Sequence, residues 1–101
     1  MRKIAIATAL WIIGSPFATA AESASEIYSG LCANCHGPTA KGMASYPRLA
    51  GQPADYLEMR LKQYRAGETV SWNSALMIPM ATDLSDAEIT ALADLIANEF
   101  Q

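Results

Sequence analysis

The chain has 101 residues, 51% of them hydrophobic, with 7 Lys and Arg against 10 Asp and Glu, a single His and a formal net charge of −3. That length holds one domain. The acidic balance argues against nucleic acid and anionic membrane surfaces as partners, because both are bound through clustered positive charge.

Arg2 and Lys3 open the chain, an apolar run follows from Ile4 to Ile13, and Gly14-Ser15-Pro16 breaks it ahead of the small residues Ala18-Thr19-Ala20. This pattern predicts a secretory signal peptide over residues 1–20 and a mature domain over residues 21–101. The alternative is an uncleaved anchor, but a spanning helix needs about 20 mostly apolar residues and this run stops well short of that. No stable membrane insertion is expected once the signal is removed. The mature chain keeps five cations, Lys41, Arg48, Arg60, Lys62 and Arg65, against all ten carboxylates, a net charge of −5. It is rich in Ala and Met and poor in large aliphatic residues. A domain this small usually needs a disulfide, a metal or a cofactor to complete its core.

The first predicted helix starts near Ser23, where Ser23-Ala24-Ser25-Glu26 fits a capping box. Ile27 and Leu31 lie one turn apart, with Tyr28 beside them, and the helix runs into Cys32. Cys32-Ala33-Asn34-Cys35-His36 then reads as the c-type haem attachment pattern C-x-x-C-H. Two thiols at this spacing reach the two vinyl groups on one edge of a porphyrin, and the next residue falls beneath the ring, where its imidazole reaches the iron. A thioredoxin-like pair also uses C-x-x-C but follows a strand, and no strand pattern precedes this one. A zinc site needs four ligands, more than two Cys and one His provide. A structural disulfide is open to an exported chain but leaves His36 unexplained.

After a loop over residues 37–52, the second predicted helix follows Pro53, with Leu57, Leu61 and Tyr64 on one face, a Glu58/Lys62 pair outside, and Gly67 as its stop. Residues 68–83 read as a second loop, with Ser, Thr, Asn and Pro among them. The third helix opens on the capping box Ser85-Asp86-Ala87-Glu88, with Leu84 and Ile89 placed as a hydrophobic staple. Ile89, Leu92, Ile96 and Phe100 form its apolar stripe. No strand is convincing, so the fold class is all-α.

At this point the sequence resembles the class I cytochromes c, in particular the small bacterial periplasmic monohaem type and one half of the dihaem carriers. The likeness covers residues 22–100. It includes Cys32 to His36, Tyr46-Pro47-Arg48-Leu49-Ala50-Gly51-Gln52, and Met77-Ile78-Pro79-Met80 followed by Leu84 to Ile89. The resemblance implies a cytochrome c fold, three main helices and loops wrapped around one covalent haem c, with Cys32 and Cys35 as attachment points and His36 on the iron. It also implies a methionine as sixth ligand. In such proteins that Met lies eight residues before the serine capping the last helix, which gives Met77; Met80 is the alternative, and both could instead be core filler. Pro47 matches a proline whose carbonyl accepts a hydrogen bond from the iron-bound imidazole, though it could equally be a plain turn proline. Leu49 would pack on the haem face and Trp72 would hydrogen-bond a haem propionate. One departure stands out: the aromatic usual late in the last helix is replaced by Asn98, leaving Phe100 or Tyr28 to compensate.

The function implied is periplasmic electron transfer by a carrier that is not an enzyme, between redox partner proteins that present a basic docking patch. The alternatives are a haem subunit of a larger periplasmic dehydrogenase complex, and an open sixth site acting in peroxide or gas chemistry.

Overall fold

The structure, a computed structural model, describes residues 19–101, so all but the last two residues of the expected signal peptide lie outside the described residues. The first helix, α1, spans Ala20–Ile27 and starts one turn earlier than the sequence suggests. Thr19 and Glu22 make the same reciprocal capping box, which leaves Ser23 and Glu26 inside the helix. The backbone then widens into a π turn over Tyr28–Cys32, in which the Ala33 N–H donates to the Tyr28 carbonyl five residues back. A short helix, α2, Ala33–His36, carries the rest of the motif and stops at Gly37, whose φ of 88° takes the chain out of the helical region.

Helix α3, Ala54–Arg65, begins behind Pro53, whose φ of −65° and ψ of 148° suit a helix entry. It ends as expected at Gly67. The Gly67 N–H donates to Tyr64 O and the Glu68 N–H to Gln63 O, both at 3.0 Å, which satisfies two terminal carbonyls. Helix α5, Asp86–Glu99, has both arms of the predicted Ser85/Glu88 box and buries Ile89, Leu92, Ala93 and Ile96.

The segment predicted as a second loop contains a further helix, α4, Ser74–Ala81, with Pro79 inside it. It lies against α3, and that tertiary contact outweighs the local signal of Pro79. The turn into α4 is tied by Ser74, which is fully buried: its Oγ accepts from the N–H groups of Val70 and Ser71, both at 2.9 Å. Among the described residues there is no strand, only an isolated bridge between Met43 and Tyr46, and no helix is long and apolar enough to cross a membrane.

Helix α5 packs against both α1 and α3. Much of the buried apolar set is small, namely Ala24, Ala40, Ala50, Ala81 and Ala93. Phe100, which the resemblance offered as a substitute for the aromatic absent at Asn98, has its ring centroid 4.8 Å from that of Tyr28 at a tilt of 40°. Arg65 ties the end of α3 to the start of α5, donating to Leu84 O at 3.1 Å and to Asp86 Oδ1 at 2.6 Å. The Asp86 carboxyl is held below the usual carboxylate range by that hydrogen bond and by the charge of Arg65.

The loop between α2 and α3 folds back on the motif through Gly42. Its N–H donates to His36 O at 2.8 Å. Its φ is 80°, and a Cβ there would stand 2.6 Å from Tyr46 O and 3.0 Å from both Arg48 N and Pro47 C. All three are backbone atoms that cannot swing aside. Gly42→Ala is therefore expected to cost at least about 1–3 kcal/mol in backbone strain alone, read as a lower denaturation midpoint of the purified protein. An unchanged midpoint would mean that this close approach is not part of the native state.

Candidate functional site

The motif residues sit where the helical backbone changes pitch. Cys32 closes the π turn, Cys35 lies in α2 and His36 is its last residue. Both thiols are free and half-buried. Burial pushes the Cys32 thiol up to about 11. A thioredoxin-like pair follows a strand, and among the described residues the motif is preceded by α1 and the π turn instead. Among the described residues, no three His, Cys, Asp or Glu side chains are grouped to hold a bare metal ion.

His36 is 6% exposed, and its Nδ1 lies 2.8 Å from Pro47 O. A carbonyl only accepts, so Nδ1 carries the hydrogen and Nε2 keeps its lone pair for a metal. This geometry fills the Pro47 role expected from the sequence. The loop that delivers Pro47 is pinned at Ala40, whose carbonyl accepts from Leu49 N at 2.8 Å and Ala50 N at 2.9 Å. On the other side of the motif the Tyr28 hydroxyl donates to Gly37 O at 2.6 Å. Burial, with the neighbouring Cys32 adding to it, pushes the Tyr28 phenol up, so the group stays a donor.

On α4, Met77 is half-buried and shares a face with the buried Ser74 and Ala81, whereas Leu76 and Met80 are exposed. A groove brings this helix to the residues just before Cys32: Ile27, Gly30 and Leu31 face Pro79, Met80 and Leu84, with Glu26, Asp83 and Glu88 around them. Trp72, which the resemblance implies as a propionate partner, is 80% exposed. The Arg48 guanidinium is engaged through Nε with Ala50 O at 3.1 Å. Leu49 packs against the core.

These features fit an iron porphyrin. Two thiols stand next to an imidazole whose outer nitrogen is already bonded, and Leu31, Met43, Tyr46, Leu76 and Met80 offer apolar surface from the flanking segments. Three contributors were not singled out from the sequence for these roles: the Tyr28 hydroxyl, Gly42 and Ser74. Tyr28 is visible as an apolar neighbour of Ile27, but its hydroxyl contact depends on the π turn, which leaves no periodic signal.

Comparison with known proteins agrees with this geometry. The family model for cytochrome c matches residues 21–99. Cytochrome c-554(548) of Halomonas halodenitrificans is 47% identical over 72 residues, covering 70% of this chain and 87% of the relative. A thiosulfate dehydrogenase electron acceptor of Stutzerimonas stutzeri is 43% identical over 68 residues, covering 66% of this chain but 32% of that protein. The crystal structure of reduced recombinant cytochrome c4 from Pseudomonas stutzeri superposes with a TM-score of 0.71 at 28% identity, covering 81% of this chain and 48% of that one. The chain thus spans most of the first relative and half or less of the other two. With covalent haem c as its cofactor and electron carriage rather than catalysis as its role, this chain belongs to the cytochrome c family.

Proposed function

We propose that the chain is an exported, periplasmic one-electron carrier whose haem is bonded to Cys32 and Cys35 and whose iron is held by His36 and Met77. The observation that carries this reading is the His36 Nδ1 to Pro47 O hydrogen bond, which reserves Nε2 for the metal. The haem supplies a reversible ferric/ferrous couple. The protein's contribution is to hold it by two thioethers, orient the imidazole, and occupy the sixth position so that no substrate binds there. With His36 and a Met thioether as its protein ligands, the iron would favour the ferrous state and have a raised potential. Met77 is preferred on its spacing, eight residues before the capping Ser85 as the resemblance implies; it is half-buried on α4, and Met80, one turn on, is 42% exposed. In Met77→Ala the far-red sulfur-to-ferric-iron absorption band should disappear and the ferrous protein should bind carbon monoxide readily. Met80→Ala should keep the band and resist the gas. The reverse pattern would transfer the ligand role to Met80, and carbon monoxide binding by the unmodified protein would support the open-site alternative.

Export rests on the pattern at residues 1–20. Cleavage after Ala20 removes Thr19, and the second box, Ser23 with Glu26, then becomes available to cap α1. Mass spectrometry of the exported protein should give residues 21–101 plus one haem, and gel filtration from the native source should give a monomer. A retained Met1 would defeat the cleavage. Co-elution with a dehydrogenase would favour the fixed-subunit alternative, to which relatives named as thiosulfate dehydrogenase electron acceptors lend support.

The partner is expected to present a basic patch. The groove beside Leu31 and Met80 is lined by Glu26, Asp83 and Glu88 and by no Lys or Arg. Carboxylates around an apolar floor suit a basic surface, through steering that weakens with salt. Charge reversal at Glu26 and Asp83 together should slow electron transfer to a basic redox protein about tenfold or more at low ionic strength, with the difference shrinking as salt rises. Equal rates at low salt would place docking elsewhere.

A further inference from the structure

Tyr28 stands just outside the attachment motif, yet it is bonded to both ends of it. Its backbone carbonyl accepts from the N–H of Ala33, the residue after the first cysteine. Its hydroxyl donates at 2.6 Å to the carbonyl of Gly37, the residue after the histidine. The π turn makes the first of these bonds: in an unbroken α-helix Ala33 would bond to the residue four back, not five. The side chain is 2% exposed and its ring rests on Phe100. His36 is therefore held from three directions. Its ring is bonded to Pro47 O and its carbonyl to Gly42 N, while the Gly37–Pro38 peptide, one further along, is held through Gly37 O by Tyr28.

We propose that Tyr28 is a positioning residue for the iron site, its hydroxyl setting the pose of His36 through the Gly37 peptide. The proposal rests on the haem reading above. Without the hydroxyl, Gly37 O keeps only the longer bond from Ala40 N at 3.2 Å, which loosens the segment between Cys35 and Gly42 and so weakens the bond from His36 to Pro47. A weaker bond of this kind makes the imidazole less basic and the ferric state less favoured.

The test compares the haem-loaded unmodified protein with Tyr28→Phe, which keeps the ring and removes the hydroxyl, and with Phe100→Leu, which disturbs the seat of the ring and keeps the hydroxyl. Tyr28→Phe should raise the reduced-to-oxidised ratio at a fixed applied potential about threefold, a shift of about 30 mV at 59 mV per tenfold for one electron. It should also move the hyperfine-shifted His36 ring resonances of the ferric protein. Phe100→Leu should lower the thermal midpoint while leaving potential and resonances in place. A Tyr28→Phe protein that fails to attach haem, when Phe100→Leu attaches it, would also support the proposal, by placing the effect at presentation of the motif. An unchanged potential and unchanged His36 resonances in Tyr28→Phe would overturn it, as would equal potential shifts in both variants. If the unmodified protein itself carries no haem, the haem reading fails, not the assignment of Tyr28.

Discussion

The hydrogen bond between His36 Nδ1 and Pro47 O spans eleven residues of sequence and sets which ring nitrogen is free for a metal. Around it, the loop after α2 takes its shape. Irregular segments of this length are uncommon in small domains unless they do something specific. Two of its positive-φ residues, Gly42 and Ala40, hold the stretch that delivers that carbonyl. Gly42 allows the chain to approach the Tyr46–Arg48 stretch at a distance no side chain would permit. Ala40, at a φ of 58°, turns its carbonyl toward two successive N–H groups just beyond Pro47. The cost of a left-handed alanine is of order 1 kcal/mol, and the two hydrogen bonds on its carbonyl hold it there.

The same economy explains how few large side chains are buried. Apart from Tyr28, the larger members of the core are Leu57, Ile89, Leu92 and Ile96, and the rest are alanines. Alanines permit close helix crossing but bury little area each. Larger apolar residues instead stand at the surface in the segments flanking the motif, Leu31, Met43, Leu76 and Met80 among them. A flat apolar cofactor is the partner such an arrangement suits. Binding of that kind is folding free energy as much as affinity, because the site does not persist in the unfolded chain.

What could be read from the sequence was whatever depends on residues within about one turn of each other. The Ser85/Glu88 box, the Gly67 stop and the Glu58–Lys62 pair are all local, and all are present. The motif Cys32 to His36 is likewise a local pattern with a chemical reason for its spacing. Helix α4 was not legible, because Ser, Pro and Thr around it signal a loop and its stability comes from contact with α3. The π turn was not legible either. It adds one residue to one turn, too small a change to alter a hydrophobic period, yet it determines which backbone group Tyr28 shares with the motif. Phe100, by contrast, could be named as a substitute for the aromatic missing at Asn98, because an unfilled position next to Tyr28 has few candidates within reach.

Two capping boxes stand in tandem at the start of α1, Thr19 with Glu22 and Ser23 with Glu26, one helical turn apart. In the intact chain the first is made and the second is buried in the run of the helix. Cleavage after Ala20 would cut the first and leave a positive amine at Ala21, which opposes the positive end of the helix dipole. The second box answers both problems. Ser23 can accept from the freed N–H groups, and Glu22 and Glu26 put negative charge in the opening turn. Ala24 and Tyr28, the residues of α1 and the π turn that are buried, lie beyond the second cap in either form. A helix that began again one turn later would keep the contact with α5 and the grip of Tyr28 on Gly37, so cleavage after Ala20 would spare the surroundings of His36.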